Sequence, residues 1–80
     1  MLQELKSAKK VIGAKQAKRA VTAGEAREVY IARDAEVRVV APIRELCAER
    51  GVNVIEIETM AELGKACGIE VGAAVAAVVG

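Results

Sequence analysis

The run AAVAAVV at residues 73–79 leaves no position for a polar face. Short continuous apolar runs of this kind suit a strand covered on both sides, because any uncovered side would hold a row of alanine and valine in water. The longer stretch VGAAVAAVV is less than half of the roughly 20 apolar residues that a bilayer crossing needs, so cover must come from the protein itself. A chain of eighty residues buries only roughly 60% of its unfolded surface and supports one core, which predicts a single domain over residues 1–80. The problem is therefore to find helices for both sides of one small sheet.

The rest of the chain supplies them at short, regular intervals. Leu2 and Leu5 form a brief amphipathic turn, and VIG is a short extended piece ending at Gly13. AKQAKRAVTAG then places Ala14, Ala17, Ala20 and Val21 on one stripe with Gly24 as a stop, the pattern of a helix packed closely on a neighbour. EVYIA reads as a strand and DAEV as a polar turn. VVAPIRELCAERG has Val40, Ile43, Leu46 and Cys47 at helical spacing, Gly51 as its stop and Pro42 in the first turn. NVIEIE is a strand, and TMAELGKACG opens with Thr59 and Glu62 in capping-box spacing and stops at Gly68. After one short helix the order is β-α-β-α-β-α-β. This predicts an α/β fold, a three-layer α/β/α sandwich around a small mixed four-stranded sheet, with binding groups expected on the edge loops.

Several function classes lack the residues they need. Cys47 and Cys67 stand twenty positions apart and no histidine exists, so no metal site is expected. At helical apolar positions the two cysteines read as buried small hydrophobes, with a lone disulfide as the other reading. Ser7, Thr22, Thr59 and Tyr30 are the available hydroxyls, and Asp34 and Glu36 the carboxylates placed just past a strand, where they could bind a cation or take a proton. Without a histidine or a second nucleophile, an enzyme is not expected, and neither is a cofactor. The N-terminus has no apolar segment of the signal-peptide type, which predicts a cytoplasmic protein that is not membrane-inserted.

Charge is more informative than its total of +1. From Met1 to Arg27 there are seven Lys and Arg against two carboxylates, a net +5, and the remainder has five against nine, a net −4. Within the first part, Lys9 to Gly24 holds five basic residues and no carboxylate. Such asymmetry predicts a basic surface for an anionic partner, or else a solvated helix face. If a helix begins just after Gly13, its free first-turn N–H groups favour an anion, and the missing side chain at Gly13 lets another backbone approach. Lys15 and Arg19, four apart, share a face, with Gln16 beside them able to offer a donor and an acceptor to a base edge; Lys18 contributes charge from further round. On residues alone, the base-reading and solvated-face readings both stand. Regular A-form RNA hides base edges in a deep, narrow groove, so a helix that reads RNA needs a distorted duplex, and duplex DNA is the other substrate of this physics. With a single aromatic, Tyr30, on a strand, stacking platforms are not expected. In CGIEVG, Ile69 and Val71 flank Glu70 between two glycines. A loop of this kind either packs on an unstacked base or tucks into the core, and the residues alone favour the core.

The segments VIGAKQAKRAV, EVYIARDAE, LCAERGVNVIEI and ELGKACGIEVGAAVA, in this order, resemble the ribosomal protein L7Ae family, in particular its short bacterial kink-turn RNA-binding members. The resemblance covers residues 2–79 without gaps. It implies the α/β/α sandwich and a non-enzymatic partner of kink-turns, RNA elements sharply bent by a three-nucleotide bulge and tandem sheared G·A pairs. Archaeal and eukaryotic members begin the recognition helix Gly-x-Asn-Glu-x-x-Lys; the matching positions here are Gly13, Lys15, Gln16 and Arg19, a departure at the middle pair that keeps groups suited to purine edges. The resemblance further implies that Ile69, Glu70 and Val71 pack on the flipped-out bulge nucleotide. It places Glu36 where some relatives contact that nucleotide, although Val37 stands where they often carry proline. The expected partner is thus kink-turn RNA, whether ribosomal RNA, a riboswitch or another structured RNA, bound by a monomer. The alternative from a different class is a protein-interaction module of ribosome-associated or regulatory complexes.

Overall fold

A computed structural model of the chain describes residues 2–80, with side chains from Leu5 onward; the predicted contribution of Leu2 to an apolar face lies outside the described side chains. The elements run α1 (Leu2–Ser7), β1 (Lys10–Ile12), α2 (Ala14–Thr22), β2 (Ala26–Ala32), α3 (Val37–Arg50), β3 (Asn53–Ile57), α4 (Met60–Cys67) and β4 (Val75–Val79). The sheet order is β1-β4-β2-β3, with β4 antiparallel to both β1 and β2, and β2 parallel to β3. The run that offered no polar face thus lies inside the sheet, between β1 and β2. Val75, Ala76 and Ala77 are fully buried. Helices α2 and α3 pack together on one side, and α1 and α4 on the other, completing the predicted three layers.

Residue volume explains how so short a chain closes both layers. Ala17 and Val21 of α2 are 0% and 1% exposed, and Ala77 of β4 is 0% exposed. Small side chains on both partners let helix and strand approach closely, and protein interiors are filled without voids. Ile31 on β2, Ile43 on α3 and Leu63 on α4 supply the bulk, each no more than 2% exposed. Tyr30, 3% exposed, donates its hydroxyl to Glu28 Oε1 at 3.1 Å and presents no ring for stacking. Cys47 and Cys67 are free thiols buried in this core, and burial pushes both up from the ordinary thiol range.

One predicted boundary needs correction. Helix α3 begins at Val37, inside the stretch read as a polar turn, so Pro42 lies in its second turn and not its first. The reason is Val40, 4% exposed, which shares the buried stripe with Ile43 and Cys47. Its N–H and that of Val39 are both accepted by the Glu36 carbonyl, at 3.2 and 3.0 Å, which starts the helix early. Pro42 removes only the N–H that would meet the Arg38 carbonyl. Both residues are exposed, on the solvent side of the helix, where a missing backbone hydrogen bond costs least. The other boundaries shift by one or two residues; the Thr59 cap forms as expected, its hydroxyl accepting from Glu62 N at 3.0 Å.

The outer strand β3 is tied to α3 by Arg44, whose guanidinium makes a two-pronged contact with the Glu56 carboxylate. The Arg44 hydrogen bond, with a smaller contribution from its charge and that of Arg33, holds the Glu56 carboxyl below the usual glutamate range. A carboxyl lowered on folding adds stability above its unfolded pKa and loses that contribution as the pH falls through the folded value. Both side chains are 40% exposed, so solvent screening keeps the effect at about 0.3–1 kcal/mol. Denaturant titrations of the wild type and Glu56→Gln are expected to differ by that amount at pH 7 and to converge as the pH drops below about 4.

Candidate nucleic-acid interface

Antiparallel and parallel pairing together bring four connections to one edge of the sheet: the ends of β1, β2 and β3, and the start of β4. At the first of them, Gly13 is the N-cap of α2 with φ 111° and ψ 150°, a conformation that L side chains rarely adopt. Its N–H donates to the Val75 carbonyl at 2.8 Å, and its own carbonyl accepts from Ala17 N at 2.9 Å. The turn is therefore locked to β4 on one side and to α2 on the other. No side chain caps α2 and its first turn has no carboxylate, so the positive end of the helix dipole faces outward unneutralised. Lys15, Gln16, Lys18 and Arg19 are all exposed. Among the described residues, none of their side chains is engaged in a hydrogen bond or ion pair.

The segment between α4 and β4 divides the residues that were read together. Ile69 is half-buried and packs on the core, whereas Val71 is 70% exposed and Glu70 is exposed. Three successive residues then bond three different elements: Ala73 N donates to the Met60 carbonyl at 3.0 Å, the Ala74 carbonyl accepts from Ala32 N at 2.9 Å, and the Val75 carbonyl accepts from Gly13 N. This stitching holds the start of α2, the β2–α3 turn and the α4–β4 segment in one fixed arrangement. Asp34 extends it, its Oδ1 accepting from Met60 N at 2.8 Å at the start of α4. The carboxylate considered as a cation or proton site is thus committed to holding a helix end. Glu36 lies on the same edge, with its side chain 73% exposed and 3.7 Å from Arg38.

What these residues offer is a row of cationic and amide donors at an open helix end, flanked by an exposed valine and two exposed carboxylates, of which Glu36 is paired with Arg38. A sequence model of the ribosomal protein L7Ae/L30e/S12e/Gadd45 family matches residues 1–80. The chain belongs to this family. An RNA-binding protein of Caldanaerobacter subterraneus subsp. tengcongensis is 54% identical over 69 residues, which cover 86% of this chain and 84% of that protein. The large ribosomal subunit protein eL8 of Halobacterium salinarum is 43% identical over 68 residues, spanning 84% of this chain and 57% of eL8. Among solved structures, the Giardia lamblia 15.5kD RNA binding protein superposes with a TM-score of 0.90 at 30% identity, over 99% of this chain and 70% of that one.

Within this L7Ae-type frame, Gly13, Lys15, Gln16 and Arg19 occupy the start of one helix, and Glu36, Glu70 and Val71 lie on connections joined to it by hydrogen bonds. Ile69 faces partly inward, as the reading from residues alone favoured. Two residues that shape this edge carry no signal of it in the sequence: Asp34 reads there only as a chemical group, and Gly64, in the middle of α4, is a glycine inside a helical pattern that does not reveal which atoms approach it. The exposed Val37 at the first turn of α3, 76% accessible, is a third apolar group on this edge that the residues alone did not single out.

Proposed function

We propose that this L7Ae-family chain is an RNA-binding protein without catalytic activity that recognises kink-turn RNA. The observation that carries the reading is the uncapped start of α2, where Lys15, Gln16 and Arg19 stand exposed and unengaged behind a glycine whose conformation is fixed by β4. The relatives named above as RNA-binding proteins support the coarser part. In the finer part, Lys15, Gln16 and Arg19 meet the purine edges of the sheared G·A pairs, Lys18 adds charge, and Val71 with the outer part of Ile69 lies on the flipped-out bulge base. Glu70 and Glu36 accept from its exocyclic groups. Binding then favours the bent conformer over the extended one by differential affinity alone, with no cofactor required. The protein acts as a monomer in the cytoplasm.

The reading is tested by titrating the protein, at two salt concentrations, into a labelled kink-turn RNA and into the same RNA with Watson–Crick pairs in place of the sheared pairs. Tight binding and bending of the intact element alone is expected, with a log–log salt slope of about −2 to −4 for three to five phosphate contacts. Equal affinity for both RNAs would reduce the α2 cluster to a nonspecific phosphate contact. Binding to neither would leave the exposed edge to a protein partner.

A further inference from the structure

Gly64 is buried in the middle of α4, where glycine is the poorest helix former short of proline. A Cβ at this position would lie 2.0 Å from the Val71 carbonyl oxygen, 3.0 Å from the Val71 carbonyl carbon and 3.1 Å from Gly72 Cα. All three are main-chain atoms, which cannot rotate aside as the end of a long side chain can. Making room for a methyl would displace the segment from the helix by about 1 Å or more, since interiors have no slack to absorb it. The segment is pinned on both sides of this contact, by Ile69 N donating to the Gly64 carbonyl at 3.0 Å and by Ala73 N donating to the Met60 carbonyl at 3.0 Å. A second close approach lies between the pins, where a Cβ on Gly72 would sit 3.2 Å from Met60 Cβ. Surface segments are ordinarily loose; this one lies backbone against backbone on a helix and still presents Val71 with 70% of its surface exposed.

We propose that Gly64 is a positioning residue for RNA recognition, setting the height and orientation at which Val71 and Glu70 meet an unstacked base of the bound RNA. This rests on the RNA-binding reading above. A rigid seat matters there because an apolar contact with a single base is lost if its support stands an ångström out of place. The glycine acts through Val71 and touches no RNA itself.

A double-mutant cycle in RNA affinity tests this, using a labelled kink-turn RNA with a three-nucleotide bulge, at a temperature where circular dichroism shows every variant folded. Gly64→Ala is expected to weaken binding about tenfold and Val71→Ala about three- to tenfold, and the Val71→Ala effect should fall below about twofold in the Gly64→Ala background. Arg19→Ala, on α2, should cost the same factor in both backgrounds. An undiminished Val71→Ala penalty in the Gly64→Ala protein, or unchanged affinity of Gly64→Ala, would overturn the proposal and leave Gly64 a packing residue only. Should Gly64→Ala not fold, Gly72→Ala replaces it, since its Cβ meets a limit of contact and not an overlap. Non-additivity with Val71→Ala is again expected, and full additivity overturns the proposal. Loss of effect in Arg19→Ala and Val71→Ala alone would instead remove the RNA-binding site, and the role of Gly64 with it.

Discussion

Replacing both Lys15 and Arg19 with alanine is expected to raise the Kd for kink-turn RNA by two decades or more while leaving the melting temperature unchanged. Both side chains are exposed on α2, and no partner within the described residues holds them. Their removal therefore breaks no contact of the fold, and alanine is the better helix former, so stability should move by no more than about 0.5 kcal/mol. Binding is different, because each cation is proposed to give a charge-assisted hydrogen bond worth roughly 1.5–3 kcal/mol, and two such losses together exceed a hundredfold in affinity. Comparison of salt dependence separates the roles. If the pair contacts phosphates, the log–log slope should become shallower by about 1.5 to 2; if it reads bases, the slope should hold while discrimination against Watson–Crick replacements collapses. Unchanged affinity for every RNA would remove the start of α2 from the interface.

The largest expected effect on stability is that of Ile31→Ala. Ile31 is 0% exposed on β2, paired in register with Val75 of β4 and Glu56 of β3, on the side of the sheet that α2 and α3 cover. Deleting its outer carbons takes away their transfer energy and leaves a cavity that a packed two-sided sheet cannot collapse, a cost of about 3–4 kcal/mol. A domain of this length has roughly 4–12 kcal/mol in total, so the melting temperature should fall by about 15–25 °C. Urea denaturation should show a lower midpoint with an unchanged slope. Because Ile31 is fully buried and is not itself among the proposed RNA-contacting groups, affinity measured well below the melting temperature should remain within about twofold of wild type. Saturating kink-turn RNA at about 100 times Kd should return roughly 2.7 kcal/mol of the lost stability. A small change in midpoint would show that the core repacks around the missing atoms.

The two cases differ in how far they can be read from residues. The α2 cluster was legible because its signal is local: a glycine, then cations and an amide within one turn and a half, with no carboxylate to neutralise them. The buried side of the same helix was legible through its spacing, since Ala17, Ala20 and Val21 fall on one stripe. The start of α3 is not legible in DAEV, whose polarity suits a turn; the Glu36 carbonyl accepting from Val39 N and Val40 N, which starts the helix at Val37, is a main-chain contact that leaves no mark in the sequence. Ile69 and Val71 carry nearly the same side chain two residues apart, and only the path of the segment along α4 turns one partly inward and the other out.

Gly64 makes the same point from the opposite direction. Nothing in ELGKACG distinguishes a glycine that merely weakens a helix from one that admits another backbone, because the approaching atoms belong to Val71 and Gly72. By itself the sequence determined the element order, the need for cover on both faces of the last strand, and the identity of the cationic helix start, all of which follow from periodicity and composition over a few neighbouring residues. The tertiary structure alone decided which loops share an edge. That edge is assembled by main-chain hydrogen bonds from Ala73, Ala74 and Val75 to three separate elements, and main-chain groups, being the same in every residue except proline, leave no mark in the sequence.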